Sequence, residues 1–350
     1  MEGHSDAVEE EISKYKGGRN RKGRYQGRGT CTYKNGTVFR GRFVDGKRDG
    51  RGTLTYPDGS VLSGNYRGDA LHGSATYTYD SGERMVSTYL YGELEGPFEE
   101  QDYNGFISCR GAFKGGQRCG NITFHWEDGG KLEGKVNEAG DVSGKFVYHY
   151  PDQRSVLRGD WEEGEMVCAK FSVDGEAEHP EAPSFAHDPA TATHISREPL
   201  LADPYEARRV EVRRSLIPGA NEGLFAQVDL QPLEVACFYS GCRLTHEEVD
   251  SRDWAENDNT LSIDDDTVID VPAEYSSANK YCATLGHKAN HSFTNNARYE
   301  PYMHPRFGEI KCIRAVAFIQ AGAEITTHYD YNEIDENGQL VAPAWYKKAS

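Results

Sequence analysis

None of the eight cysteines forms a C-x-x-C pair, and no His and Cys cluster has the spacing of a zinc finger. The thiols are expected to be reduced, as in the nucleus or cytoplasm. The opening residues MEGHSDAVEEEISKYKGG lack the apolar core of a secretory signal. No apolar run approaches the roughly 20 residues of a membrane-crossing helix. A Walker motif, a G-x-G-x-x-G fingerprint and a G-x-S-x-G elbow are all missing. Nothing therefore points to a nucleotide-binding fold or a serine hydrolase. Base is short relative to acid, with a formal net charge of -17. Such a chain is expected to repel nucleic acid unless it hides a basic patch, and to prefer basic partners.

Glycine and tyrosine are plentiful, at 38 and 21 of 350 residues. That pairing favours turn-rich β structure. The glycines keep a ruler: Gly50, Gly73, Gly96, Gly120 and Gly144 recur every 23 to 24 residues. Tyr66, Tyr89, Phe113, Val136 and Trp161 hold an equivalent large apolar position. Each unit reads as two alternating strands joined by an Asp-Gly, Asn-Gly or Gly-Gly turn. One hairpin cannot bury its apolar face alone, but stacked hairpins can. From 173 to 200 the pattern gives way to Pro, Ala, Thr and acid, including His179, His187 and His194, which reads as a solvated linker.

The second half carries short strand-like runs such as GLFAQVDL, EVACFYSG and EITTHYDY. PAEYSSANKYCATLG is a helix candidate ending at Gly286. His287 and His291 then stand four residues apart, as zinc-binding histidines do on a helix. Lys288 follows the first of them, where a zinc protease has its glutamate. A protonated amine cannot act as base there and opposes a metal ion. No metal site is expected.

The glycine ruler resembles MORN repeats, over about Gly23 to Phe171. The stretch GHKANHSFTNN, with EITTHYDYN downstream and ANEGLFA upstream, resembles the SET domain of protein-lysine methyltransferases. The resemblance implies a mainly β chain: an antiparallel hairpin-repeat sheet, then small sheets with a knot-like crossing. The implied divisions are a disordered tail at 1–22, a repeat domain at 23–172, a linker at 173–200 and a SET domain at 201–350.

The same resemblance implies S-adenosyl-L-methionine as methyl donor. Ala220, Asn221 and Glu222 would hold its methionine end, Asn290 and His291 would hydrogen-bond it through backbone and side chain, and Trp345 would stack on its adenine. Tyr239, Tyr299 and Tyr329, with His291, would be catalytic. Tyr331 would be a wall, Lys288 would support Tyr239 by a hydrogen bond, and Lys311 would touch the peptide. Lysine has a free pKa near ~10.4, so the site must present its amine neutral. A narrow apolar channel and a neighbouring sulfonium favour that form. Since Tyr239 and Tyr299 both keep their hydroxyls, mono-methylation is expected. The implied substrates are the histone H3 tail and [K/R]-[S/T/A]-K segments of other proteins, met by a monomer in the nucleus, at chromatin, and also in the cytoplasm. No direct binding of nucleic acid is expected. The alternatives are a scaffold or binding module whose SET domain is inactive, and a lipid-binding repeat array.

Overall fold

Asp45 and Gly46 both have positive φ, 52° and 93°, as the central pair of a tight hairpin turn requires. Gly68 and Asp69 repeat that geometry at 61° and 79° in the next unit. Such a turn joins β3 (Val38–Val44) to β4 (Lys47–Thr55), whereas longer turns join β1 (Ile12–Arg19) to β2 (Tyr25–Tyr33), β2 to β3, and β4 to β5 (Val61–Arg67); the series runs on to β14 (Glu165–Val173) and β15 (Ser184–Phe185). Each strand pairs with the next in sequence, giving a fifteen-stranded sheet. In this computed structural model, residues 11–176, 181–253 and 256–329 are described. The chain divides into two compact units, Met1–Tyr148 with Gly159–Gly164, and His149–Arg158 with Glu165–Ser350.

The ruler glycines have a common reason. Gly50 lies at a register shift of the β3–β4 ladder and takes φ of 97°, and Gly73, Gly96, Gly120 and Gly144 are also positive. A second class of glycine lies under rings. Gly41 and Gly52 face each other across β3 and β4. A Cβ on either would meet the Phe39 ring, at 2.4 Å and 2.3 Å. Phe39 is fully buried there, with Phe43, Leu54 and Tyr66 around it. The absent side chains make room for an aromatic core on one face of a thin sheet.

The second unit holds short strands: β16 (Val210–Arg214), β17 (Glu222–Ala226), β18 (Val235–Tyr239), β19 (Cys242–Thr245), β20 (Thr260–Ser262), β21 (Thr267–Asp270), β22 (Asn290–His291), β23 (Ala297–His304), β24 (Gly308–Ala315) and β25 (Glu324–Thr327). They form three small sheets, in the orders β16-β17-β25-β22, β18-β24-β23 and β19-β21-β20. Val210, Leu224, Cys237, Ile313 and Ile325 belong to a core shared by the first two of these sheets. The architecture is mainly β, as the sequence implied.

Three local expectations are corrected. Ile12–Arg19, within the expected disordered tail, is strand β1, because Tyr15 reaches the repeat core and stacks on Tyr25 at 3.7 Å. The segment read as a linker is packed: Phe185 and Ile195 are buried, and Asp188 accepts from Ser196 and from the Arg197 amide. His187 is half-buried against the Pro305 carbonyl, His194 is exposed, and His179 lies outside the described residues. The helix expected before Gly286 is only a 3₁₀ turn at Ala273–Tyr275. Its later amides go to tertiary partners instead, those of Cys282 and Ala283 donating to the Pro199 carbonyl. The α-helix α1 is His246–Ser251, started by a capping box between Thr245 and Glu248.

Gly41→Ala places a methyl against both Phe39 and the Gly52 backbone. It is expected to lower stability by about 1–3 kcal/mol, read as a fall in denaturant midpoint at constant slope. An unchanged midpoint would remove the packing role given to this glycine.

Candidate active site

Strand β25 brings the three motifs together. It pairs antiparallel with β17, Leu224 opposite Ile325 and Phe225 opposite Glu324. It pairs parallel with β22, Asn290 opposite Thr326 and His291 opposite Thr327. The Glu324 carboxylate accepts from Ser215 Oγ at 2.6 Å, from the Leu216 amide at 2.8 Å and from Asn290 Nδ2 at 3.1 Å. Asn290 Nδ2 also donates to the Glu222 carbonyl at 2.8 Å. Gly223 is required by this knot of polar groups, since a Cβ there would sit 2.3 Å from Glu324 Oε1. Asn296 clamps β25 from the side: its amide donates to the Glu324 carbonyl at 2.8 Å and accepts from the Thr326 amide at 2.9 Å.

Tyr239 ends β18 and Tyr299 lies in β23, and both strands pair with β24. Their rings meet edge to face at 5.8 Å. Tyr329 follows β25. Its hydroxyl donates to the Ala289 carbonyl at 2.5 Å, and the Tyr239 hydroxyl donates to the Asn259 carbonyl at 2.6 Å. Burial, and then the neighbouring Tyr329 hydroxyl, raise the Tyr239 and Tyr299 phenols well above the usual range. Both stay neutral at physiological pH. With its proton committed to a carbonyl, each hydroxyl of Tyr239 and Tyr329 keeps oxygen lone pairs to accept further bonds.

The two histidines do not share a helix face. His287 sits in a 3₁₀ turn at Gly286–Lys288, beside Tyr239 and Tyr281, whereas His291 ends β22. Gly286 is there for close approach, because a Cβ would lie 2.6 Å from the Phe238 carbonyl oxygen. Among the described residues, no group of three His, Cys, Asp or Glu comes together as a metal site. His291 is fully buried and its Nδ1 accepts from the Tyr329 amide at 3.1 Å, so it acts on the tyrosine from behind. Lys288 does not serve Tyr239 as expected. Its ammonium is held by Glu222 at 2.7 Å and by the Ser276 carbonyl. Lys311 donates to the Ile263 carbonyl at 2.8 Å. Asn221 is not among the described residues with positive φ, and its carbonyl accepts from the Ser215 amide at 3.2 Å. Ala220 donates to the Ile217 carbonyl in the same loop. Tyr331 and Trp345 lie outside the described residues.

Sequence reasoning missed Glu206. It is buried, and its carboxylate accepts from the Phe238 amide at 2.7 Å, one residue before Tyr239. Burial raises this carboxyl well above its ordinary range. Its position in DPYEARR gave no periodic signal.

Burial lowers the His287 imidazole to about 3 and the His291 imidazole to about 4. Both are therefore neutral in the folded chain at pH values where the unfolded chain, near ~6.5, takes up protons. This contribution to stability is complete above pH ~6.5 and is lost as pH falls from there towards 4. Urea unfolding between these limits is expected to show it, and His287→Gln to reduce the slope by nearly one proton. An identical slope in the variant would contradict the assigned burial.

The chain is similar to three family models. MORN repeats match residues 21–38, 39–61 and 63–84. The N-terminal family described as "Histone H3 K4-specific methyltransferase SET7 N-terminal" matches 113–185, and the SET domain matches 221–330. A relative from Halocynthia roretzi, "Histone-lysine N-methyltransferase SETD7", is 45% identical over 268 residues, covering 72% of this chain and 69% of its own length. The pairing of β17, β22 and β25 beneath a tyrosine cluster thus has a family to go with it: the chain belongs to the SETD7 family of SET-domain protein-lysine methyltransferases.

Proposed function

We propose that this chain transfers a single methyl group from S-adenosylmethionine to the side-chain amine of lysine in the histone H3 tail and in [K/R]-[S/T/A]-K segments of other proteins. The coarser statement, a protein-lysine methyltransferase, rests on the family. The finer one is supported above all by the Tyr239 and Tyr329 hydroxyls, whose protons are both committed to backbone carbonyls. Their oxygens are neutral acceptors. They hold amine N–H groups without a carboxylate that would favour the ammonium form. The buried tyrosine walls disfavour that charged form further, and orientation of the amine supplies much of the acceleration.

The residues beside β17 suit the proposed donor. An amino acid end carries an ammonium and a carboxylate, and the site offers the Glu222 carboxylate and the Lys288 ammonium side by side. Ala220, Asn221 and Glu222 would hold it with Asn290 and His291, while Trp345 is proposed for the adenine. The donor supplies the methyl group. The chain's own part is to place the amine, exclude water and keep Tyr329 fixed through His291, which makes His291 a positioning residue. Residues 23–172, joined by strand β1, and residues 201–350 are proposed as the repeat and SET domains, and with histone substrates the nucleus is the proposed site of action.

Labelled S-adenosylmethionine with an H3 tail peptide tests this. Transfer by wild type is expected, with kcat/KM falling roughly ten- to hundredfold in Tyr329→Phe, the loss of a hydrogen bond worth ~1–3 kcal/mol. Folded wild type that labels no lysine would leave a binding module. Mass spectrometry is expected to find monomethyl-lysine, and Tyr299→Phe to shift product towards dimethyl-lysine. Mostly di- or trimethylated wild-type product would defeat the product assignment.

A further inference from the structure

The net charge of -17 conceals an asymmetry: residues 11–51 hold thirteen Lys and Arg against three Asp and Glu. Strands β1 to β4 sort these residues by face. Cys31, Phe39, Phe43 and Leu54 are buried on one side. The alternate positions point the other way, and among them Lys14, Lys16, Arg28, Arg40, Arg42 and Arg51 are all exposed. Register sets them in rows. Lys16 is opposite Thr30, Thr30 opposite Arg40, and Arg40 opposite Thr53. Arg28 stands directly opposite Arg42.

Among the described residues, none of these six cations is in an ion pair, nor is Asp49, the acid of β4. The other two acids of the region are committed elsewhere, Asp45 to Arg24 at 2.5 Å and Glu11 to Lys34 at 2.6 Å. Further along the sheet the same face is neutralised, Arg110 by Glu99 at 3.0 Å and Lys131 by Glu133 at 2.9 Å. Like charges directly opposite on paired strands are destabilising. Among the described residues nothing repays Arg28 facing Arg42, whereas a polyanion lying on the face would.

We propose that the exposed face of β1 to β4 binds the phosphate backbone of double-stranded nucleic acid, independently of base sequence. A duplex carries one negative charge per ~1.7 Å of its axis, dense enough to engage the whole grid. Thr30, Thr32 and Thr53 stand between the cations as hydroxyl donors to phosphate oxygens. The alternate positions of β1 to β4 hold no aromatic side chain on this face, so single strands find no stacking platform. They hold no Trp, Phe or Leu to enter a bilayer either. The whole-chain charge implied repulsion of nucleic acid, and this face is the exception to it.

The test is fluorescence anisotropy of a labelled DNA duplex of arbitrary sequence with the full chain over a series of salt concentrations. Wild type is expected to bind at low salt, with log K falling steeply against log salt. Arg40→Glu with Arg42→Glu is expected to weaken binding at least tenfold and flatten the slope by about two. The same double variant is expected to keep or raise its melting temperature at low salt, since Arg28 loses a like-charged neighbour. Lys114→Glu with Lys135→Glu changes net charge equally at another part of the sheet and is expected to weaken binding far less. The proposal is overturned by absence of duplex binding at low salt, by equal loss in the two double variants, by tighter binding to a single-stranded oligonucleotide, or by binding of phosphatidylserine vesicles in place of duplex.

Discussion

Strand β25 is four residues long, yet the site depends on it. Its backbone is shared by β17 on one side and β22 on the other. Its first residue, Glu324, gathers the loop at Ser215 and Leu216 together with Asn290. Asn296 completes its hydrogen bonding from a fourth segment. A short strand has little pairing energy of its own, so side-chain amides and a carboxylate do what further strand residues would otherwise do. Tyr329 leaves this strand two residues past its end, and its position is inherited from the whole arrangement.

The tyrosine cluster follows a second constraint, neutrality. Beyond burial, Tyr329 raises the cost of ionising both Tyr239 and Tyr299, and Tyr239 raises that of Tyr299. The two neighbouring imidazoles are also held neutral by burial. In the Lys288–Glu222 pair beside the site the two signs offset each other. A protonated substrate amine would find no counter-ion among the tyrosines.

Much of this was legible in the sequence, for physical reasons that can be named. Repeat geometry was readable because each hairpin needs glycine at fixed offsets, and Gly50 or Gly73 cannot be replaced cheaply at positive φ. Tyr239, Tyr299 and Tyr329 were found through their neighbours in matched motifs, and the fold does bring them together. What failed was contact beyond the motif. Lys288 was assigned to Tyr239, but its ammonium is held by Glu222 and the Ser276 carbonyl, partners that local sequence does not reveal. The helix expected before Gly286 was undone by tertiary hydrogen bonds at Pro199, invisible to local propensity. Glu206 gave no signal, because a buried carboxylate is defined by the amides that surround it. The segment from 181 to 200 looked solvated because its few apolar residues, Phe185 and Ile195 among them, are spaced irregularly.

The rings laid over glycines have an evolutionary consequence. Phe39 covers Gly41 on its own strand and Gly52 on the next, and Phe98 and Phe146 lie against Gly111 and Gly134 in later hairpins. Each ring thus lies over a glycine of the adjacent strand. Duplicating or deleting one whole unit of about 23 residues preserves every such contact and the identity of both faces. Gaining or losing a single residue within a strand exchanges the faces and puts charge where the ring belongs. Growth of this array is therefore quantised, and its length is a heritable variable that changes in hairpins rather than in residues.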